Sequence, residues 1–356
     1  MAIDVDTLQK LRQETEVPPM DLSWLNLDDT WGVQAKPGKR GLTLDEVNIG
    51  PYSQIPDQAD NHTLRLRGVR PRPGNLRFQY TARDKSEVWS ENCIQLYEEA
   101  VQRQWSSATD IPWETIQPLP DDIERAICQL CTFLTEVEFI AGDTPGQWMP
   151  YISGEYYEAG LFLMTQIMDE ARHEDVFRKR ALANGGGLLQ QSRGAGLRKL
   201  IEARDFTEMS VLMHVQAEGF VQSMFRMGEL IGQNEAEKRI FRLCAQDESR
   251  HLAFGVMHLK YILDTEPERR EEIHAYLDKA EQTDVESGGF TFDSPMFGSL
   301  ALLLGGGKQN FDEGVKRFMA VRRKQINEYI HRLQVAGLGD RIERVNPQMR
   351  AFIESR

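Results

Sequence analysis

The chain has 356 residues, of which 40% are apolar, and a net charge of −13. This length and apolar content predict one main domain with a substantial core, and the negative charge disfavours a nucleic-acid partner, which requires clustered Lys and Arg. No apolar run approaches the ~20 residues that span a bilayer, and none follows Met1 as a secretion signal would, so we expect a cytoplasmic protein without a membrane partner.

Residues 1–84 are rich in Pro and Gly. Segments such as Lys36-Pro-Gly38 and Gly50-Pro51 interrupt the backbone and prevent long helices. The sequence therefore predicts an irregular N-terminal arm over residues 1–84 that wraps and does not form a core.

Residues 85–264 carry most of the helical patterns. A first helix is predicted from Lys85 to a point before Pro112. Four longer patterns follow, at about 121–142, 154–183, 198–231 and 234–263. We predict that they form a four-helix bundle, so the fold class is all-α. Cys128 and Cys131 lie in the first of the four without a second pair to complete a zinc site, which favours core packing over a metal or redox role.

Residues 265–356 are predicted to supply C-terminal helices and a loop that pack on the bundle. One helix ends at about Thr283, and the last extends from about Phe311 to Val335. The loop between them, about 284–310, is unusually apolar and contains Phe290 and Phe292. It could be a lid over a substrate pocket, which would imply a mainly apolar substrate, or a strap packed permanently on the bundle. The strap is the favoured interpretation, because apolar loops commonly form satellite clusters.

One short motif occurs twice, with a spacing of 78 residues. Asp169-Glu-Ala-Arg-His173 lies in the second bundle helix and Asp247-Glu-Ser-Arg-His251 in the fourth. Residues three apart share a helix face, so each copy directs one carboxylate and one imidazole the same way. Apolar neighbours indicate that this direction is inward. Ionised carboxylates in a core require compensating positive charge, and divalent metal ions provide it.

The other two bundle helices are each expected to add one Glu. In the third helix Glu218 is the clear candidate, because it lies on the apolar stripe through Val211 and Val215. The first helix offers both Glu136 and Glu138, and Glu138 is favoured because it continues the apolar face. Glu and His together suit iron or manganese better than zinc. The predicted metal ligands are Glu138, Glu170, His173, Glu218, Glu248 and His251.

The chain resembles the ferritin-like superfamily of di-iron carboxylate proteins, the oxygenases and oxidases related to ribonucleotide reductase small subunits. The resemblance covers residues 121–260 and rests on the order Glu, Glu-x-x-His, Glu, Glu-x-x-His. It implies a ferritin-like bundle with two iron ions, or a manganese and an iron ion, and dioxygen as co-substrate. It also implies that Asp169 and Asp247 hydrogen-bond ligand histidines.

The same resemblance suggests roles for the acidic ligands. Glu170 and Glu248 would be the bridging or flexible carboxylates, and hence the catalytic ones, with Glu138 and Glu218 terminal. No subfamily matches at every diagnostic position. Phe177 stands where radical-storing subunits have Tyr, and Cys244 stands where arylamine oxygenases have a third His.

The expected function is therefore a non-haem di-iron oxygenase that hydroxylates, N-oxygenates or desaturates a small, mainly apolar organic molecule. The alternative is a ligand-binding di-metal oxidase or an iron-storage bundle. His214, one turn before Glu218, could be an extra ligand or a proton relay, although a hydrogen-bonded core histidine is favoured. The chain has neither a dinucleotide fingerprint nor a four-cysteine cluster pattern, so a separate reductase or ferredoxin is expected as electron donor. We also expect a homodimer.

Overall fold

A computed structural model describes residues 4–16, 19–26, 32–59, 65–72, 74–77, 82–286 and 294–354. The chain divides into two compact units, Met1–Gln54 and Ile55–Arg356. The boundaries inferred from sequence, at residues 84 and 264, stay a proposal.

The described residues of the first unit contain two α-helices that the sequence patterns did not predict. Helix α1, Val5–Glu14, begins after Asp4, whose side chain accepts a hydrogen bond from the Thr7 backbone nitrogen at 2.8 Å. This N-cap stabilises a helix that has no buried residue. A short helix α2, Leu44–Val47, begins with a capping box, in which the side chains of Thr43 and Glu46 each bond the other residue's backbone nitrogen.

The second unit contains the predicted bundle. Its helices are α3 (Cys93–Gln102), α4 (Asp121–Trp148), α5 (Tyr157–Ala183), α6 (Ala195–Ile201), α7 (Phe206–Ser210), a π-helical segment (Val211–Ala217), α8 (Glu218–Ile231) and α9 (Glu235–Thr265). Helix α4 packs along α5, and α8 packs along α9. The all-α fold and the four-helix bundle with additional helices are confirmed. None of the helices in the described residues is long and apolar enough to cross a membrane.

Two of the predicted helix boundaries in this unit are wrong. The pattern at 198–231 is not one helix, because α6 ends at Ile201 and a new helix begins at Phe206. Asp205 causes the restart, since its side chain accepts a hydrogen bond from the Glu208 backbone nitrogen at 2.8 Å. Near the N-terminus of the unit, the helix expected from Lys85 begins only at Cys93.

The C-terminal region differs from prediction in its loop. Helix α10 is Arg270–Glu286, α11 is Pro295–Gly305, α12 is Phe311–Val335 and α13 is Pro347–Glu354. Most of the predicted apolar loop at 284–310 is therefore helical. Phe290 and Phe292 lie outside the described residues. Pro295 begins α11, and Gly306, with φ of 75°, ends it.

Helix α11 is buried against the bundle. It contacts α4 and α12, and its Met296, Phe297 and Leu300 belong to an apolar cluster that also contains Leu134 of α4. Gly314 allows α12 to approach α11 closely, because a Cβ atom there would overlap the Ala301 carbonyl oxygen. This packing of α11 favours the strap interpretation over the lid.

Two apolar clusters fill the bundle, and every long bundle helix crosses from one to the other. The pairs are Leu134 and Ala141 in α4, Leu163 and Val176 in α5, Val215 and Val221 around the start of α8, and Phe254 and Cys244 in α9. Buried polar residues lie between the two members of each pair. The fold therefore holds one layer of polar side chains between two apolar layers.

Arg180 links three bundle helices by buried ion pairs. Its side chain, only 1% exposed, donates from Nη1 and Nη2 to the carboxylate of Glu124 at 2.8 and 3.0 Å, and from Nε to Glu237 at 2.6 Å. The three residues belong to α5, α4 and α9.

We predict that Arg180→Met lowers the free energy of unfolding by about 3–5 kcal/mol, because it leaves the buried Glu237 carboxylate without a counter-charge. Arg125→Met is the matched control, since Arg125 is exposed and pairs with Asp121 along one turn of α4. It should cost less than about 1 kcal/mol. Urea denaturation measures both, and equal losses would contradict a stabilising role for the buried network.

Candidate metal centre

All six predicted ligands meet in the polar layer. Their donor atoms form two groups, in each of which the atoms lie within 4.8 Å of one another. The first group is Glu138, Glu170, His173 and Glu248, and the second is Glu170, Glu218, Glu248 and His251. None of the six residues is more than 3% exposed. Glu170 and Glu248 belong to both groups.

The two shared carboxylates lie between the two imidazoles. His173 Nδ1 is 3.2 Å from Glu170 Oε2 and 3.1 Å from Glu248 Oε1. His251 Nδ1 is 3.0 Å from Glu170 Oε1 and 3.1 Å from Glu248 Oε2. Each shared Glu thus directs one oxygen to each histidine, which is the arrangement a bridging carboxylate needs.

The other two carboxylates lie at the ends of the cluster. Glu138 Oε2 is 3.7 Å from His173 Nδ1, and Glu218 Oε1 is 3.9 Å from His251 Nδ1. The competing candidate Glu136 is not in either group; its carboxylate accepts a hydrogen bond from the Ser192 backbone nitrogen at 2.9 Å. Of the two acids considered in the first bundle helix, the structure brings Glu138 to the cluster.

The aspartates of the repeated motif bond histidines across the bundle. Asp247 Oδ2 is 3.2 Å from His173 Nε2, and Asp169 Oδ2 is 3.3 Å from His251 Nε2. Each Asp therefore contacts the imidazole of the other motif copy. A carboxylate at Nε2 can hold the ring proton there, which would leave the Nδ1 lone pair for a metal ion at the cluster.

The arginines of the motif complete this outer layer. Arg250 donates to Asp169 Oδ2 at 2.8 Å and also bonds Asp247. Arg172 donates to Asp247 Oδ2 at 3.2 Å and also bonds Asp169. Both motif copies carry Arg at the same position, so the sequence marked these two residues, but the pattern alone did not indicate that they pair with the aspartates.

Trp105 is a contact that sequence reasoning missed. Its indole Nε1 donates to Asp247 Oδ2 at 2.7 Å, and its ring stacks beside His173 with centroids 6.3 Å apart. The sequence predicted that the first helix continues to a point before Pro112, but α3 ends at Gln102. Trp105 therefore lies beyond the helix, and no helical pattern indicated its contact with Asp247. Burial alone would raise the pKa of Asp247, but the hydrogen bonds from His173 and Trp105 and the charge of Arg250 lower this pKa well below its usual value.

The buried acids of the cluster fit divalent cations. Burial raises the pKa of Glu138 and of Glu218 well above the usual value, with a further contribution from the neighbouring Glu170 and Glu248 charges. One oxygen each of Glu138, Glu170 and Glu248 is buried without a hydrogen-bond partner. Unpaired buried carboxylate oxygens are costly, and metal ions would satisfy them.

His214 and Cys128, for which the sequence suggested possible roles, lie outside the two groups of candidate metal ligands. His214 is fully buried and hydrogen-bonds Ser210 and Gln166, and burial lowers its pKa well below the usual value. Cys128 is buried with its sulfur 3.5 Å from the Ala181 carbonyl oxygen, as core packing predicted. All four cysteines are free thiols.

No protein-family model matches the sequence. No curated protein matches it either.

Solved structures give a clear likeness. This chain aligns with a variant of an R2-like ligand-binding oxidase that has an anaerobically reconstituted Mn/Fe cofactor. The TM-score is 0.54 and the sequence identity is 18%. A second variant, with an aerobically reconstituted Fe/Fe cofactor, aligns with a TM-score of 0.55 at 17% identity. Both alignments cover 69% of this chain and 94% of the other. The chain therefore has the ferritin-like helical fold of the R2-like oxidases.

Proposed function

We propose that this chain is a non-haem di-iron oxygenase that uses dioxygen to hydroxylate, N-oxygenate or desaturate a small, mainly apolar organic molecule. The observation that carries the proposal is the pair of buried ligand groups that share Glu170 and Glu248. Two divalent ions would bring four positive charges against the four carboxylates. A single ion would leave two buried carboxylate charges uncompensated.

The two ions would be held as follows. Glu138 and His173 would bind one ion, Glu218 and His251 would bind the other, and Glu170 and Glu248 would bridge them. Two ferrous ions would supply the electrons that reduce dioxygen. Because Glu170 and Glu248 belong to both ligand groups and would contact both ions, we assign them the catalytic role.

The surroundings of the cluster support an apolar substrate. The ring of Phe162 lies 6.4 Å from the His251 ring, and that of Phe225 lies 6.3 Å from the His173 ring. Both phenylalanines are fully buried. This aromatic shell excludes water from the ligands, so a substrate that reaches the cluster must tolerate an apolar environment.

A second candidate is a ligand-binding di-metal oxidase, which the R2-like structural neighbours favour. These neighbours contain Mn/Fe or Fe/Fe cofactors. A manganese–iron pair is therefore the alternative to two iron ions in this chain. In either case we propose a cytoplasmic homodimer that receives electrons from a separate reductase or ferredoxin.

Labelled dioxygen tests the function. The ferrous-loaded protein, incubated with a metabolite extract, chemical reductant and labelled dioxygen, should yield an organic product that carries the label or lacks two hydrogens, detected by mass spectrometry. A Glu170→Gln/Glu248→Gln double variant is the control and should give no product. Oxygen consumption that yields only a modified protein or a retained ligand would favour the ligand-binding oxidase, and steady growth of iron mineral would favour storage.

The choice between Glu138 and Glu136 can be tested directly. Glu138→Gln should weaken iron binding at its position by at least about 100-fold, because losing a ligand costs more than losing an outer-layer partner. Glu136→Gln is the matched control and should retain two irons per chain by metal analysis. If Glu136→Gln loses iron to the same extent, Glu138 is not the specific ligand.

A further inference from the structure

A chain of three hydrogen bonds leads away from Glu218. Gln166 Nε2 donates to Glu218 Oε1 at 3.4 Å, Gln166 Oε1 is 3.1 Å from His214 Nε2, and His214 Nδ1 is 2.9 Å from Ser210 Oγ. All four residues are at most 3% exposed. The chain therefore runs entirely through the interior of the protein.

Chemistry fixes the direction of every bond in this chain. The Gln166 amide nitrogen must donate to the carboxylate, so its carbonyl oxygen is left to accept from His214 Nε2–H. Burial lowers the pKa of His214 well below its usual value. The imidazole is therefore neutral, its Nδ1 carries no proton, and Ser210 donates to it. With Glu218 ionised, as a metal ligand would be, this arrangement satisfies all three bonds.

Local backbone structure holds His214 in place. The residue lies in the π-helical segment Val211–Ala217, between α7 and α8. On the facing helix α9, a Cβ atom at Gly255 would overlap the Cβ of His214, so only glycine lets the two backbones come this close. The imidazole also packs edge-on against Phe254, with ring centroids 5.3 Å apart. Single-turn π segments are frequent at functional sites.

The other end of the metal cluster lacks the donor that begins this chain. Gln166 lies four residues before Glu170, and the equivalent residue before Glu248 is Cys244. A thiol is only a weak hydrogen-bond donor. Consistent with this difference, Glu138 Oε1 is buried without a hydrogen-bond partner.

We propose that Gln166, oriented by His214 and Ser210, is a positioning residue that fixes Glu218 as a terminal ligand, while Glu138 is left free to change its position. This inference rests on the proposed two-metal function and deepens it, because it makes the two metal positions unequal. The role is to hold a ligand, so it depends on hydrogen-bond donation by residue 214 and not on transfer of a proton through the imidazole.

Three variants of the full chain separate this role from simple core packing. His214→Leu removes the donor to Gln166. His214→Gln restores it, because the glutamine amide nitrogen can reach the place of the imidazole Nε2 and cannot relay a proton as imidazole does. His258→Leu is the matched control: His258 is another fully buried histidine, but it bonds the Trp89 carbonyl oxygen and Thr207 and contacts none of the six ligands.

The measurement is a manganous-ion titration followed by electron paramagnetic resonance, with circular dichroism to verify folding. His214→Leu should weaken binding of one of the two ions by about 10–100-fold and leave the other unchanged, as expected for loss of an outer-layer partner. His214→Gln should bind both ions within about threefold of the wild type, and His258→Leu should do the same even if it melts earlier.

The outcomes distinguish this inference from the proposed function. A wild type that binds fewer than two ions would overturn both. A wild type that binds two ions, with a His214→Leu variant that binds both equally well or weakens both equally, would overturn the positioning role alone. A His214→Gln variant as impaired as His214→Leu would also overturn it, because the restored donor would then have no effect.

Discussion

The architecture depends on the cost of burying four carboxylates in the middle of a helical bundle. Glu138, Glu170, Glu218 and Glu248 are at most 3% exposed, and three of them have an oxygen without a hydrogen bond. Such a cluster must take up protons or metal cations, because ionised carboxylates without counter-charge are costly to bury. Two divalent ions match the charge, and the two apolar layers on either side keep water from replacing them. The buried carboxylates therefore determine both the stability of the bundle and its capacity to bind metal ions.

A second ring of charge supports the first. Asp169 and Asp247 pair with Arg172 and Arg250, so this outer layer is neutral by itself. Because each Asp bonds the histidine of the other motif copy, the ring also ties α5 to α9 at the level of the ligands. Both imidazoles are held by Nε2 and present Nδ1 to the cluster. The repeated five-residue motif therefore contains four of the six candidate ligands together with the Asp and Arg residues that support them.

Sequence reasoning was most informative where a pattern was written twice. The 78-residue offset identified Glu170, His173, Glu248 and His251, and helical periodicity led to Glu218 and Glu138. It failed where local capping overrides periodicity, as at Asp205, which restarts a helix inside an apparently continuous pattern. The segment of α11 was predicted to be a loop, but residues Pro295–Gly305 form a helix. A short apolar run next to glycines is compatible with either structure. Contacts between distant segments, such as Trp105 to Asp247 and Gln166 to Glu218, leave no periodic trace in one sequence.

The central claim is that the two motif copies build one centre for two metal ions. The most direct test is a crystal structure of the protein loaded with ferrous iron, with anomalous diffraction recorded at the iron absorption edge. The account predicts two anomalous peaks per chain, both within bonding distance of Glu170 and Glu248, with Glu138 at one and Glu218 at the other. A single peak, or iron bound away from these residues, would contradict it.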